Sequence, residues 1–124
     1  MSDLIYPEES YEIIGCCMEV YNNLGRGFSE IVYKDALEYE IKKKSIIYER
    51  EKEFTIKYKD IILPHKFYCD FVLYDKIILE VKYSKIIMDE HIKQTLNYLA
   101  VSNFKLGLIV NFGENSFTSK RVVK

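Results

Sequence analysis

Cysteine, histidine and proline are scarce in this chain, and long apolar runs are missing altogether. The cysteines are Cys16, Cys17 and Cys69, two of them adjacent. That spacing excludes a disulfide framework and a four-ligand zinc or iron–sulfur site, leaving small core residues of a reduced protein. His65 and His91 sit in no metal-ligand motif. With prolines only at Pro7 and Pro64, and neither repeats nor low-complexity segments, no linker divides the chain. No segment approaches the roughly 20 apolar residues of a membrane span. Met1-Ser2-Asp3-Leu4 lacks the basic region and apolar run of a leader. The expectation is a cytoplasmic protein without membrane attachment. An excess of basic charge is also missing, since 18 Lys and Arg face 19 Asp and Glu. A general phosphate-binding coat is therefore excluded. Contact with phosphate must come from local patches, such as Lys42-Lys43-Lys44, Lys82 with Lys85 and Lys120-Arg121, or from a bound metal.

What is present suits one compact core. At 124 residues, 48% apolar and 15% aromatic, residues 1–124 read as a single domain. Glu8 to Asn23 has a helical apolar face of Ile13, Cys17, Val20 and Leu24, with Gly25 as its stop. After the turn Gly25-Arg26-Gly27, Ser29 is positioned to cap a second helix that runs to about Lys44 and buries Val32, Tyr33, Ala36 and Leu37. Tyr48 to Tyr58 reads as a strand and Lys59-Asp60 as a turn. A third helix spans about Asp89 to Val101, followed by strands at Phe104 to Asn111 and Phe117 to Val123. With a hairpin between the first strand and the third helix, the order is ααβββαββ, an α/β fold whose mixed central sheet is flanked by helices.

That hairpin holds charges where apolar residues are expected. Phe67 to Tyr74 and Ile77 to Tyr83 are aromatic and β-branched runs, yet they carry Asp70, Glu80 and Lys82. Alternation puts Glu80 and Lys82 on one face. A two-residue turn would leave Asp70 opposite Val81. A three-residue loop, Tyr74 to Lys76, pairs Leu73 with Ile77 and sets Asp70 opposite Glu80, and this register is the one expected. Carboxylates brought side by side repel, so a fold that needs only stability avoids the pairing. A divalent cation removes the objection: Mg²⁺ or Mn²⁺ takes hard oxygen ligands and needs only one or two protein carboxylates. Lys82 could then position the attacking water or neutralise phosphate charge.

Two further groups stand out. On the third helix Ile92, Leu96 and Leu99 form the expected buried stripe, with His91, Gln94, Thr95 and Tyr98 beside it. Gln94 and Tyr98 can offer an amide and a phenol to a phosphate, a base edge or the lysine. Glu30 opens the second helix, where the macrodipole favours an acid, within Gly27-Phe28-Ser29-Glu30-Ile31-Val32-Tyr33.

That spacing, with Asp70, Glu80-Val81-Lys82, the helix His91 to Leu99 and the tail Leu106 to Gly113, resembles the GxxExxY proteins, small members of the PD-(D/E)xK nuclease superfamily. The resemblance covers nearly the whole chain in the expected order. It departs at Cys69, where the signature proline stands, and at Tyr83, Ile92 and Tyr21. It implies a restriction-endonuclease-like core and a metal-dependent nuclease hydrolysing phosphodiester bonds in DNA or RNA. Asp70 and Glu80 would be metal ligands, joined by the Val81 carbonyl and with Glu30 as a further candidate. Lys82 would be the catalytic lysine. Gln94 and Tyr98 would hold substrate, as in the Q-x-x-x-Y element of RecB-like nucleases. Mg²⁺ or Mn²⁺ would be the cofactor, and DNA ahead of RNA the partner, with a homodimer or partner protein where both strands are cut. The alternative is a catalytically inactive nuclease-like module that binds nucleic acid or a protein. Its small size leaves little room for a DNA-reading arm.

Overall fold

The computed structural model describes residues 4–124. Helix α1 (Pro7–Leu24) starts with a proline in its first turn, where the missing N–H costs nothing, and stops at Gly25 (φ +64°). The Gly25 N–H donates to the Tyr21 carbonyl at 2.8 Å. Helix α2 (Glu30–Lys43) begins after Ser29, which holds the N-cap position, but its hydroxyl caps nothing. Its carbonyl accepts the Val32 N–H instead.

Strands β1 (Tyr48–Tyr58), β2 (Ile61–Leu73) and β3 (Ile77–Lys82) lead to helix α3 (Asp89–Ser102), then β4 (Leu106–Asn111) and β5 (Thr118–Val123). They form one sheet in chain order. All neighbours are antiparallel except β3 and β4, which are parallel and joined across α3. The expected element order and flanked mixed sheet are therefore present. Ile13, Cys17 and Val20 of α1 and Tyr33, Leu37 and Ile41 of α2 pack with Phe71, Leu79, Val81 and Leu108 on one face. Tyr98 and Leu99 of α3 cover Cys69, Val72, Ile78 and Ile109 on the other. Covered on both faces, β4 is buried at every position. That is why its sequence is an apolar run rather than an alternation. All three cysteines are free and buried, as their spacing implied. Among the described residues no helix is long and apolar enough to cross a membrane.

Two details depart from expectation. The second strand begins at Ile61, so β1 and β2 extend as a hairpin arm well past the three residues of β2 that pair with β3. Pro64 is tolerated there because the register shifts around it, between Thr55 and Lys57 of the partner strand. On α3 the buried residues are Thr95, Tyr98 and Leu99, while Leu96 is 40% exposed. The cause lies on β4, where a Cβ added at Gly107 would stand 2.4 Å from Thr95 Cγ2. The helix settles onto the glycine through Thr95, and this fixes its rotation with Leu96 outward.

Candidate active site at the parting of two strands

Leu73 pairs with Ile77, Val72 with Ile78 and Phe71 with Leu79, so the loop is the three-residue one, with Tyr74 and Asp75 both at φ +58°. The next pair would be Asp70 with Glu80, and there the ladder stops. The Asp70 N–H donates to Glu80 Oε2, and the Val81 N–H donates to Asp70 Oδ2, each at 2.7 Å. Each carboxylate thus stands in for a strand carbonyl. The β1 side lets go of Asp70 too: Arg50 pairs with Phe71 and Lys52 with Cys69, but Glu51 between them lies at φ +53° and is unpaired. Strand alternation also slips at Asp70. Phe71 packs towards α1 and α2, whereas Cys69, which strict alternation would place beside it, packs towards α3.

A third carboxylate continues the row. Glu30 Oε2 accepts the Tyr83 N–H at 3.0 Å, so the free edge of β3 presents Val81 and Tyr83 amides to Asp70 and Glu30 in turn. The G-x-x-E-x-x-Y spacing now has a physical account. Gly27 lies at φ +111°, a conformation L side chains rarely adopt, and its N–H donates to the Tyr83 hydroxyl at 2.8 Å. Tyr33 stacks between Tyr83 and Phe112, with centroids at 5.7 and 4.4 Å, and its hydroxyl donates to the Gly25 carbonyl. These contacts pin the α1–α2 turn, and Glu30 with it, to the end of β3.

Charges fill the gap between β2 and β3. Lys82 Nζ lies 3.7 Å from Glu80 Oε1. Lys34, one helical turn after Glu30, places Nζ 3.1 Å from Asp70 Oδ1 and 3.3 Å from Glu51 Oε2. Burial works against its charge, yet the Asp70 and Glu51 carboxylates hold the Lys34 amine above its ordinary range. Glu80 is only 2% exposed. That burial, and then the charge of Asp70, push its carboxyl up to about 8. Burial and the same two acids push the Cys69 thiol and the Tyr98 phenol up as well.

Sequence reasoning overlooked Lys34 and Glu51. The signal for Lys34 was its position four residues after Glu30, on the same stripe of α2. The α3 group divides. Tyr98 is buried, and its hydroxyl donates to the Tyr68 carbonyl at 2.7 Å, holding β2 two residues before Asp70. Gln94 is exposed, and its side-chain amide forms no hydrogen bond among the described residues. His91 serves its own helix, accepting the Met88 N–H on Nδ1 at 3.1 Å.

The donor set fits a hard divalent cation. Asp70 Oδ1 and Glu80 Oε1 are free of backbone partners and each faces a lysine amine, so a cation already stands near both. A strand residue points its N–H and C=O to the same side, which puts the Val81 carbonyl on the Asp70 side as well. Among the described residues no three His, Cys, Asp or Glu side chains gather into a cage. A small set is what Mg²⁺ uses, since it keeps several waters.

Residues 7–123 match the family model of the PD-(D/E)XK nuclease superfamily. The solved structure of SSO0001 is similar over 93% of this chain and 76% of its own, with a TM-score of 0.63 at 13% identity. That likeness concerns the fold alone, which is restriction-endonuclease-like. No curated protein matches the chain. With nearly its whole length matched, the chain belongs to the PD-(D/E)XK nuclease superfamily.

Proposed function

We propose that this protein is a metal-dependent nuclease of the GxxExxY group, hydrolysing phosphodiester bonds in DNA, or else RNA, in the cytoplasm. The observation that carries this reading is the free edge of β3, where Glu80, Asp70 and Glu30 line up beside Lys82 in place of a neighbouring strand. The acids accept strand amides that a carbonyl could accept without charge, and burying Glu80 beside Asp70 costs stability.

Asp70, Glu80 and the Val81 carbonyl would hold Mg²⁺ or Mn²⁺, with Glu30 at the margin. When bound, that ion supplies charge neutralisation at phosphate and a more acidic water. Lys82, held against Glu80, donates to the attacking water or to a phosphate oxygen and so fixes the line of attack. Lys34 neutralises Asp70 until the ion arrives, and Glu51 gives its amine an alternative partner. Tyr98 keeps β2 in place, and the exposed Gln94 amide is available to substrate. Cutting both strands of a duplex calls for a second copy or a partner protein.

One observation favours the catalytically inactive, binding-only module: Lys34 already satisfies Asp70. Cleavage assays separate the two. Purified protein with Mn²⁺ or Mg²⁺ should degrade single- or double-stranded nucleic acid, and Lys82→Ala should slow this by about 100-fold or more. Equal cleavage by Lys82→Ala, or undiminished cleavage with the metal chelated, contradicts the assigned roles. Binding without any turnover selects the module.

A further inference from the structure

Beyond the acids, a cleft of about 410 Å³ opens at the end of the sheet between the α1–α2 turn, the loop after β3 and the β4–β5 loop. Arg26, Lys85, Glu114 and Asn115 help to line it. Neither Arg26 nor Lys85 forms an ion pair among the described residues, although this chain carries more acids than bases. Arg26 is oriented by neutral groups alone, the Gly113 carbonyl and Asn115 Oδ1, each at 3.3 Å. Glu114 is the carboxylate at the rim. Its Oε2 is taken up by Asn111 Nδ2 at 2.9 Å and Thr118 Oγ1 at 2.7 Å.

The walls are built to hold still. Asn111, fully buried, accepts the Ser84 and Gly113 N–H groups on Oδ1 and donates to the Ser84 carbonyl. A Cβ added at Gly113 would come within 2.6 Å of Ser84 N and O, so the two loops meet backbone to backbone. The cleft also adjoins the site: Gly27, next to Arg26, bonds to Tyr83, and Lys82 accepts the Phe112 N–H. Two cations without carboxylate partners, Arg26 oriented on a rigid rim and Lys85 exposed beside it, form a receptor for an anion next to the row of acids.

We infer that this cleft is a subsite for two successive backbone phosphates of the nucleic-acid strand, one at Arg26 and one at Lys85, flanking the phosphodiester held at Asp70 and Glu80. The inference rests on the nuclease reading for its ligand, but it is tested by binding in the absence of metal. A short fluorescein-labelled DNA, single-stranded and duplex, is titrated with wild-type protein in chelator at several salt concentrations and followed by anisotropy. Arg26→Gln with Lys85→Gln should weaken binding about tenfold and flatten the dependence of log K on log salt by about 1.5 to 2, as expected for two lost phosphate contacts. Lys85→Gln alone, at an exposed position that leaves the fold untouched, should flatten it by about 1. Lys43→Gln with Lys44→Gln removes equal charge at the far end of α2 and should leave the slope nearly unchanged.

An unchanged slope in the Arg26 and Lys85 variants, equal loss in both double variants, or no binding by wild type overturns the subsite. Cleavage that persists while the slope stays fixed refutes the subsite and leaves the nuclease reading standing. The expected slope loss in a protein that never cuts does the reverse.

Discussion

Strand β3 has two edges, and they are built for different purposes. Towards β4 it pairs at every residue from Ile77 to Lys82, and the Phe112 N–H extends the ladder onto the Lys82 carbonyl. Towards β2 it pairs at Ile77, Ile78 and Leu79 and then stops, its Val81 and Tyr83 amides passing to the carboxylates of Asp70 and Glu30. The strand's own apolar residues are the same on both sides of this divide. The difference lies in the neighbour: a continuous apolar strand on one side, on the other a strand that turns over at an aspartate. Stability comes from the first edge. The second holds like charges together, which is a cost that catalysis or ion binding can justify.

Substitutions at the two edges should therefore separate activity from stability. Asp70→Asn should lower metal-dependent cleavage by about 100-fold or more and leave thermal stability within about 1 kcal/mol of wild type. Leu108→Ala, at a position 1% exposed in β4, should do the opposite. It should cost about 2–5 kcal/mol in urea unfolding, with cleavage per folded molecule retained. If Leu108→Ala abolished cleavage without destabilising, or Asp70→Asn unfolded the protein, the division between edges would fail.

The second edge also has a pH signature. Glu80 binds its proton more tightly when folded, its carboxyl sitting at about 8 against an ordinary 4.5. Between those values the folded state holds the extra proton. Stability of the metal-free protein should then fall as pH rises from about 4.5 through 8, by several kcal/mol in all. Glu80→Gln should flatten that profile and be the more stable protein above neutrality. A wild-type profile already flat over this window would remove the charge conflict from the account.

The smallest effect concerns how α3 sits on the sheet. Gly107→Ala should cost about 1–3 kcal/mol through its clash with Thr95 Cγ2. Thr95→Ser, which deletes that methyl and keeps the hydroxyl bonded to the His91 carbonyl, should recover most of the loss in a double-mutant cycle. Additive losses would show that the close approach is not what orients the helix.

The sequence made the register of the hairpin legible, because loop length and period-two alternation are local properties, and Leu73 does pair with Ile77. It also exposed the acids, since Asp70 and Glu80 interrupt runs that are otherwise apolar. What it hid depends on long-range geometry. Strict alternation contains no hint that the strand turns over at Asp70, which required Glu51 at positive φ on the partner strand. Lys34 was overlooked because its two carboxylate partners come from β1 and β2. The rotation of α3 depended on a glycine in β4, so a leucine counted as core faces solvent and a threonine takes its place. The hairpin arm, which begins at Ile61 and passes through Pro64, was hidden because the register shift that accommodates the proline depends on the partner strand.

The central claim is that the gap between β2 and β3 exists to hold a divalent cation. Calorimetric titration of Mn²⁺ into the purified protein tests it most directly. The account predicts saturable binding by wild type, abolished in Asp70→Asn and tightened in Lys34→Met, where the competing amine is gone. No binding by wild type, or binding unchanged in Asp70→Asn, would contradict it.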